Sequence, residues 1–227
     1  MDTRTEREGG ELPPLPSRLL AVFLNPGRLM EQLAETPRWA GSLLVVVALI
    51  TLSVALIPTD IFMELNRQAA LERGAEFPEL GETALFWTRI AIPVGTLIST
   101  PVVMFLFTGL YTVIFAFILG DEGTYRQYLA VVTHAWFIAA LFGLMVTPLR
   151  ISTGDPQFTI NLSSFLFFLP DGYIVNVFRF LDLSQLWSTL VIAQGAHAID
   201  RRRSFGSAAA ILLSITVAFA MVVAIWA

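Results

Sequence analysis

Residues 90–120 read IAIPVGTLISTPVVMFLFTGLYTVIFAFILG, 31 residues without one charged side chain. As an α-helix this stretch would measure about 46 Å, more than the roughly 30 Å hydrocarbon core of a bilayer and less than two crossings joined by a turn. It therefore reads as one long, tilted membrane helix. Pro93 and Pro101 are its expected kinks, with the freed carbonyls met by Thr96, Thr100 or a neighbouring helix. Four more charge-free runs, at 39–59, 127–149, 183–199 and 204–227, bring the uncharged total to over half of the 227 residues. Only 14% of the chain is charged and 56% is hydrophobic, against roughly 25% charged in a soluble domain, so a soluble enzyme fold is excluded first. The expected fold class is all-α: a polytopic membrane protein, a bundle of five transmembrane helices with short interfacial helices.

The spans are expected at about 39–57, 88–119, 127–147, 183–199 and 205–226. Arg38-Trp39 opens the first at the interface and Pro58 closes it; Pro148 is expected to stop the third. Gly120-Asp121-Glu122-Gly123 forms a tight turn, and Asp200-Arg201-Arg202-Arg203 joins the last two spans. Residues 1–17 are polar, carry Pro13, Pro14 and Pro16, and lack the apolar core of a signal peptide. They read as a disordered cytoplasmic tail, and residues 18–227 as the membrane domain.

Asn25-Pro26 and Thr36-Pro37 each place a capping side chain before a proline at the first helical position. The helix between them carries Leu29, Met30 and Leu33 on one side, as a helix resting on the membrane surface would, and Thr36-Pro37 is expected to begin the first span. The loop at 59–83 is acidic, with Thr59 expected to cap a short amphipathic helix that includes Ile61 and Leu65. Between 148 and 182, residues 158–169 are apolar but too few to span. Ile174, Val177, Phe178 and Leu181 then recur at helical spacing, so this connection is expected to lie in the interface as one or two amphipathic helices.

With 14 basic residues, all arginine, against 18 acidic ones, the net charge is −4 and offers no basic excess for nucleic acid. An N-terminus in the cytoplasm puts nine arginines inside and five outside, with Arg38, Arg201, Arg202 and Arg203 directly at span ends, which predicts N-in and C-out. Zero cysteines exclude disulfides and thiolate chemistry, and two histidines with no acid deep in a span leave almost nothing from which to build a metal cage. No G-x-S-x-G elbow, P-loop or dinucleotide fingerprint occurs. No catalytic residue, cofactor-binding residue or metal ligand is assigned, and no cofactor is expected.

Polar groups inside the spans are His134, about 12 Å along the third helix from its cytoplasmic end, and Gln194 and His197 near the end of the fourth. His134 reads first as a neutral histidine bonded to a hydroxyl such as Thr133 or to a neighbouring helix, and Gln194 and His197 as polar glue between helices. Small residues repeat every fourth position at Ala135, Ala139 and Gly143, and again at Gly206, Ala210, Ser214 and Ala218. Both rows are expected as packing ridges, since small side chains let helix backbones approach in lipid.

Several segments together resemble the bacterial branch of the Yip family, named for Ypt/Rab-interacting proteins. Phe23-Leu24-Asn25-Pro26 followed by Leu33 and Pro37-Arg38-Trp39 resembles the family's surface-helix approach to the first span. Residues 120–128, with Tyr125-Arg126-Gln127 after a glycine turn, resemble its cytoplasmic turn. Leu181-Asp182-Leu183-Ser184-Gln185-Leu186-Trp187 followed by Gly195 is similar to its fourth-span signature. The resemblance covers about residues 18–227 and implies a non-enzymatic integral membrane protein acting as scaffold, adaptor or accessory subunit through contacts with lipids, other membrane proteins or copies of itself. In eukaryotic members that role is GTPase-linked traffic, but here the region before the first span is short and Glu35-Thr36-Pro37-Arg38-Trp39 stands where they carry a DLYGP-type segment. Rab-type GTPase binding is accordingly not expected, and a bacterial inner membrane is the expected home. A small-solute or lipid transport component is the alternative, favoured by the proline-kinked second span but not by any inverted repeat; an intramembrane enzyme is the third reading.

Overall fold

A computed structural model describes residues 12–78, 80–166 and 168–226. Among them the chain folds into helices α1 (Leu15–Leu24), α2 (Pro26–Glu35), α3 (Ala40–Leu56), α4 (Thr59–Glu72), α5 (Glu82–Thr112), α6 (Tyr125–Thr153), α7 (Tyr173–Arg179), α8 (Leu183–Ile199) and α9 (Phe205–Val223). A π-helical segment, Val113–Ile118, prolongs α5, and a 3-10 turn, Leu162–Phe165, precedes α7. The described residues contain no β-strand, only an isolated antiparallel bridge between Asn161 and Asp182.

α6 is the central helix, with α3, α5 and α8 packed around it and α1 and α2 against its first half. Tyr128, Leu129, Ala130, Val131, Val132, Thr133, His134 and Ala135 are all buried in succession, which requires neighbours on every side. α5 and α9 are peripheral: 17% and 22% of their most apolar windows are buried, against 56% for α6, so their outer faces are left for lipid.

Among the described residues three helices are long and apolar enough to cross a membrane: Glu82–Ile118, Tyr125–Thr153 and Phe205–Val223. A fourth crossing is added if α3 and α4, bent by 80° at Pro58, are taken as one broken span. α8 has 17 residues and ends in charged caps, Asp182 and Asp200. The protein is thus an all-helical integral membrane protein.

Several local expectations change. Leu15, Pro16 and Ser17 already belong to α1, because a proline in the first turn removes an N–H that has no partner there anyway; residues 1–11 of the expected tail lie outside the described residues. Asn25 does cap α2, its side chain accepting from the Arg28 N–H. Thr36 does not begin α3: it is the C-cap of α2, its N–H donating to the Gln32 carbonyl at 2.9 Å, while α3 starts at Ala40 with Trp39 before it and the Ser42 hydroxyl donates to the Trp39 carbonyl at 2.8 Å. The apolar side of α2 does not rest on lipid, since Leu29, Met30 and Leu33 are buried within the bundle, where α2 packs on α8 and α6.

α5 passes both prolines, but the hydroxyl of Thr96 goes to the Ile92 carbonyl (3.0 Å) rather than to either carbonyl the prolines free. α6 does not stop at Pro148; it runs on to Thr153 and ends at Gly154, whose φ of +68° is the left-handed conformation glycine adopts without strain. The turn before Pro148 is held from the side, because the Gly143 carbonyl accepts from Thr147 (3.0 Å) and from Ser53 of α3 (3.2 Å). In α7 the buried residue is Val175, whereas Ile174 of the expected stripe is exposed.

Candidate functional site

The polar groups singled out in the sequence gather where α1, α2 and the α8–α9 turn meet the first half of α6. His134 is fully buried, and its Nδ1 lies 2.7 Å from the Ala130 carbonyl, an atom that only accepts. Nδ1 therefore carries the proton and Nε2 a lone pair, which faces Nη1 of Arg18 at 3.4 Å. Ser42 of α3 closes the group, with its hydroxyl 3.2 Å from Nδ1 and 2.9 Å from the Thr133 hydroxyl. Arg18 in turn donates to the Arg38 carbonyl at 3.1 Å, so one guanidinium ties α1, the approach to α3, and α6 together. Burial, and then the neighbouring charge of Arg38, lower the pKa of Arg18 from its ordinary value. As a neutral acceptor for an arginine, His134 is committed to holding α1 in place.

His197 repeats the arrangement. Its Nδ1 meets the Arg203 carbonyl at 2.6 Å and its Nε2 faces Nη1 of Arg201 at 3.4 Å, so it too is the tautomer with the proton on Nδ1. Arg201 also reaches Glu31 of α2 at 2.6 Å. Arg203 pairs with Asp121 across the bundle end; both side chains are largely buried, and the Arg203 pKa is raised chiefly by that hydrogen-bonded pairing. Arg202 binds Asp200 at 2.7 Å, and Asp200 also accepts the Glu122 N–H at 2.9 Å. These donors, Arg202 first, hold the Asp200 carboxyl well below the usual carboxylate range. Every arginine of the 201–203 turn thus has a carboxylate partner, drawn from α2, from the α5–α6 turn or from its own turn.

Glycines mark where this end is tightest. A Cβ on Gly195 would lie 2.3 Å from Val131, so α8 and α6 approach as closely as they do only because residue 195 has no side chain. One on Gly123 would run into the Tyr128 ring at 2.5 Å. Gln194 lies against Gly27 of α2, 3.4 Å from where its Cβ would be.

The residues that carried the family resemblance are brought together or given distinct tasks. Phe23 and Trp187 stand edge to face at 5.4 Å, with Phe137 and Phe142 of α6 on either side. Pro26 opens α2, Trp39 meets Phe105, Pro37 is half-buried between them in sequence, and Asp182 caps α8 by accepting the Gln185 N–H at 2.9 Å.

Of the small-residue rows, only part packs. Ala135 is buried, but Ala139 and Gly143 border cavities, and a Cβ on Gly143 would meet nothing within 4 Å. Gly206, Ala210, Ser214 and Ala218 are exposed; α9 turns the other side inward, with Ala208, Ala209, Leu212 and Ala220 buried. That row is corrected as an internal packing ridge. Sequence reading also passed over Arg18, Ser42, Asp121 and Asp200. An arginine beside Leu19 and Val22 on the inward side of α1 was the available signal for the first, and opposite charges in two turns on the same face were the signal for the last two.

A family model described as the Yip1 domain matches residues 20–227, and the chain belongs to this family. Membrane protein YknW of Bacillus subtilis (strain 168) is similar to it, 27% identical over 227 residues that cover 97% of this chain and 95% of that protein. No solved structure matches the chain.

Proposed function

We propose that this Yip-family protein is a non-enzymatic scaffold, adaptor or accessory subunit of a bacterial inner membrane, acting through contacts with other membrane proteins, with lipid or with its own copies. The observation that supports it most is the use made of the polar groups at this end: His134 accepts from Arg18, His197 from Arg201, both histidines hold backbone carbonyls, and Arg203 pairs with Asp121, tying α1, α2 and the α5–α6 turn to the bundle. A catalytic site needs such groups free and convergent on a substrate. Here they build a rigid charged platform at one end, while α5 and α9 offer long apolar faces to the membrane.

In this reading α3, α5, α6, α8 and α9 all cross. α3 and α8, at 17 residues and about 25 Å each, are short for a span but pack along α6. The arginine turn faces the cytoplasm, the N-terminus is inside and the C-terminus outside. Affinity recovery of the intact chain from mild detergent, with partners identified, tests the reading. Repeated recovery with one membrane complex, or as a defined self-association, is the expected result; a lone monomer that moves a solute or lipid in liposomes would replace it with the transport alternative, which the cavities beside Arg150 favour.

A further inference from the structure

At the end of the bundle away from the arginine turn the interior is not closed. One cavity of about 200 Å³ is walled by Phe142, Val146, Leu183 and Ile160, and another of about 180 Å³ by Ile50, Val54 and Trp136. Both are bordered by Ala139, Gly143, Arg150 and Gln185, so they are two lobes meeting at the same side chains.

Arg150 gives this space its chemistry. Its Nε donates to the Phe158 carbonyl at 3.0 Å and its Nη1 to the Ser53 hydroxyl at 3.3 Å, both neutral acceptors. Among the described residues no carboxylate reaches it as a contact ion pair: Asp182, which borders the same space, and Asp155 attract it only through space, and Asp182 Oδ1 accepts from Ser184 and from the Gln185 N–H in capping α8. Arg18 has no carboxylate partner among the described residues either, yet it is enclosed by packed side chains, whereas Arg150 is half-buried beside open volume. Held partly out of water, with both carboxylates beyond contact, the guanidinium is only partly compensated, and an anion brought by a ligand would complete its pairing. Gln185, exposed at the rim, adds a second donor; Ser53, Thr159, Asp182 and Ser184 are the other polar groups of the lining, and the rest is hydrocarbon and aromatic.

We propose that this space binds an anionic amphiphile, a carboxylate or phosphate head on an apolar chain, with Arg150 pairing the head and the lobe beside Ile50, Val54 and Trp136 receiving the chain. The head chemistry is shared by an anionic phospholipid of the surrounding bilayer and by a free fatty acid. The intact chain, purified in neutral detergent, is titrated with phosphatidylglycerol, dodecanoate, phosphatidylcholine and inorganic phosphate, reading thermal melting and retained ligand by native mass spectrometry. Stabilisation and retention by either anionic amphiphile, and by neither phosphatidylcholine nor phosphate, is the expected result; the stronger of the two identifies the source. Arg150→Gln is expected to bind about tenfold more weakly, the loss of one charge-assisted contact. Gly143→Leu fills the space from a position where a Cβ would meet nothing within 4 Å, so it is expected to fold and to lose binding even if the arginine variant does not fold. Equal binding of phosphatidylcholine, stabilisation by inorganic phosphate alone, or a folded Gly143→Leu protein that binds as the parent does would overturn the proposal.

Discussion

The two ends of the bundle treat charge in opposite ways. At one end Arg201, Arg202 and Arg203 each meet a carboxylate, two histidines accept from arginines, and Gly195 and Gly123 let backbone and ring close to contact. At the other, Arg150 hydrogen-bonds to neutral acceptors, has no contact ion pair among the described residues and borders open volume, where Gly143 leaves a gap instead of a contact. The same residue types thus do different work according to what faces them: glycine allows close packing in α8 and leaves space in α6, and arginine locks one end while leaving the other receptive. A folding role is expected to dominate substitutions at the first end, and a binding role those at the second.

The largest effect is expected where close approach is strictest. Gly195→Val would drive α8 off Val131, and overpacking of that kind at a rigid seam should cost about 3 kcal/mol, seen as a large fall in the melting temperature of the detergent-solubilised protein. Gly143→Leu at the open end should leave melting nearly unchanged, and equal losses in the two variants would erase the contrast between the ends.

Next is the buried ion pair. Asp121→Asn leaves Arg203, whose side chain is 14% exposed, without its counter-ion, and about 2–3 kcal/mol of stability should be lost in chemical or thermal unfolding. Acid should reach the same end by another route. Because the folded Asp200 carboxyl is held below its ordinary range, its contribution is complete above about pH 4 and fades as the pH falls through that range toward the folded value. Melting should therefore be flat from pH 8 to about 5 as far as this group is concerned and decline below about 4, and in Asp200→Asn that part of the decline should vanish.

His134 separates polarity from titration. His134→Leu strips Arg18 and Ser42 of a buried partner and should cost about 1–3 kcal/mol, whereas His134→Asn keeps an acceptor and should be tolerated within about 1 kcal/mol. A folded Asn variant that has lost partner recovery completely would contradict the structural role. The smallest effect is expected on α9: Ala210→Ile and Ser214→Ile project from the exposed side and should change melting by no more than about 0.5 kcal/mol. A larger loss in either would mean that this face meets protein in the purified state.

What the amino-acid order made legible, and what it did not, follows from how local each signal is. α8 could be placed to the residue because Asp182 and Asp200 bracket an uncharged run, and the α5–α6 turn because its glycines have few other uses. The inward face of α9 could not: a helix apolar on nearly all sides has no phase from which to read it, so the spacing of Gly206, Ala210, Ser214 and Ala218 fixed a row but not its direction. Pro148 misled because the bonds that support the helix past it come from Ser53 on α3. The partners of His134 were beyond reach for the same reason, since Ser42 and Arg18 lie 92 and 116 residues away along the chain. The presence of a buried histidine was visible; its commitment to an arginine of α1 was not.

The proposed topology puts the arginine turn on the cytoplasmic side and the Arg150 cavity at the opposite face, with five crossings between the two termini. The absence of cysteine from the sequence makes that directly measurable, since each introduced thiol is unique. Arg28→Cys on α2, Asp171→Cys before α7 and Trp226→Cys after α9 all replace exposed residues. Treated with a membrane-impermeant maleimide on intact cells whose outer barrier has been opened, the thiols at 171 and 226 should be labelled and the thiol at 28 only after lysis. Labelling of position 28 from outside, or protection of 226 together with 28, would contradict the orientation and the five-span bundle alike.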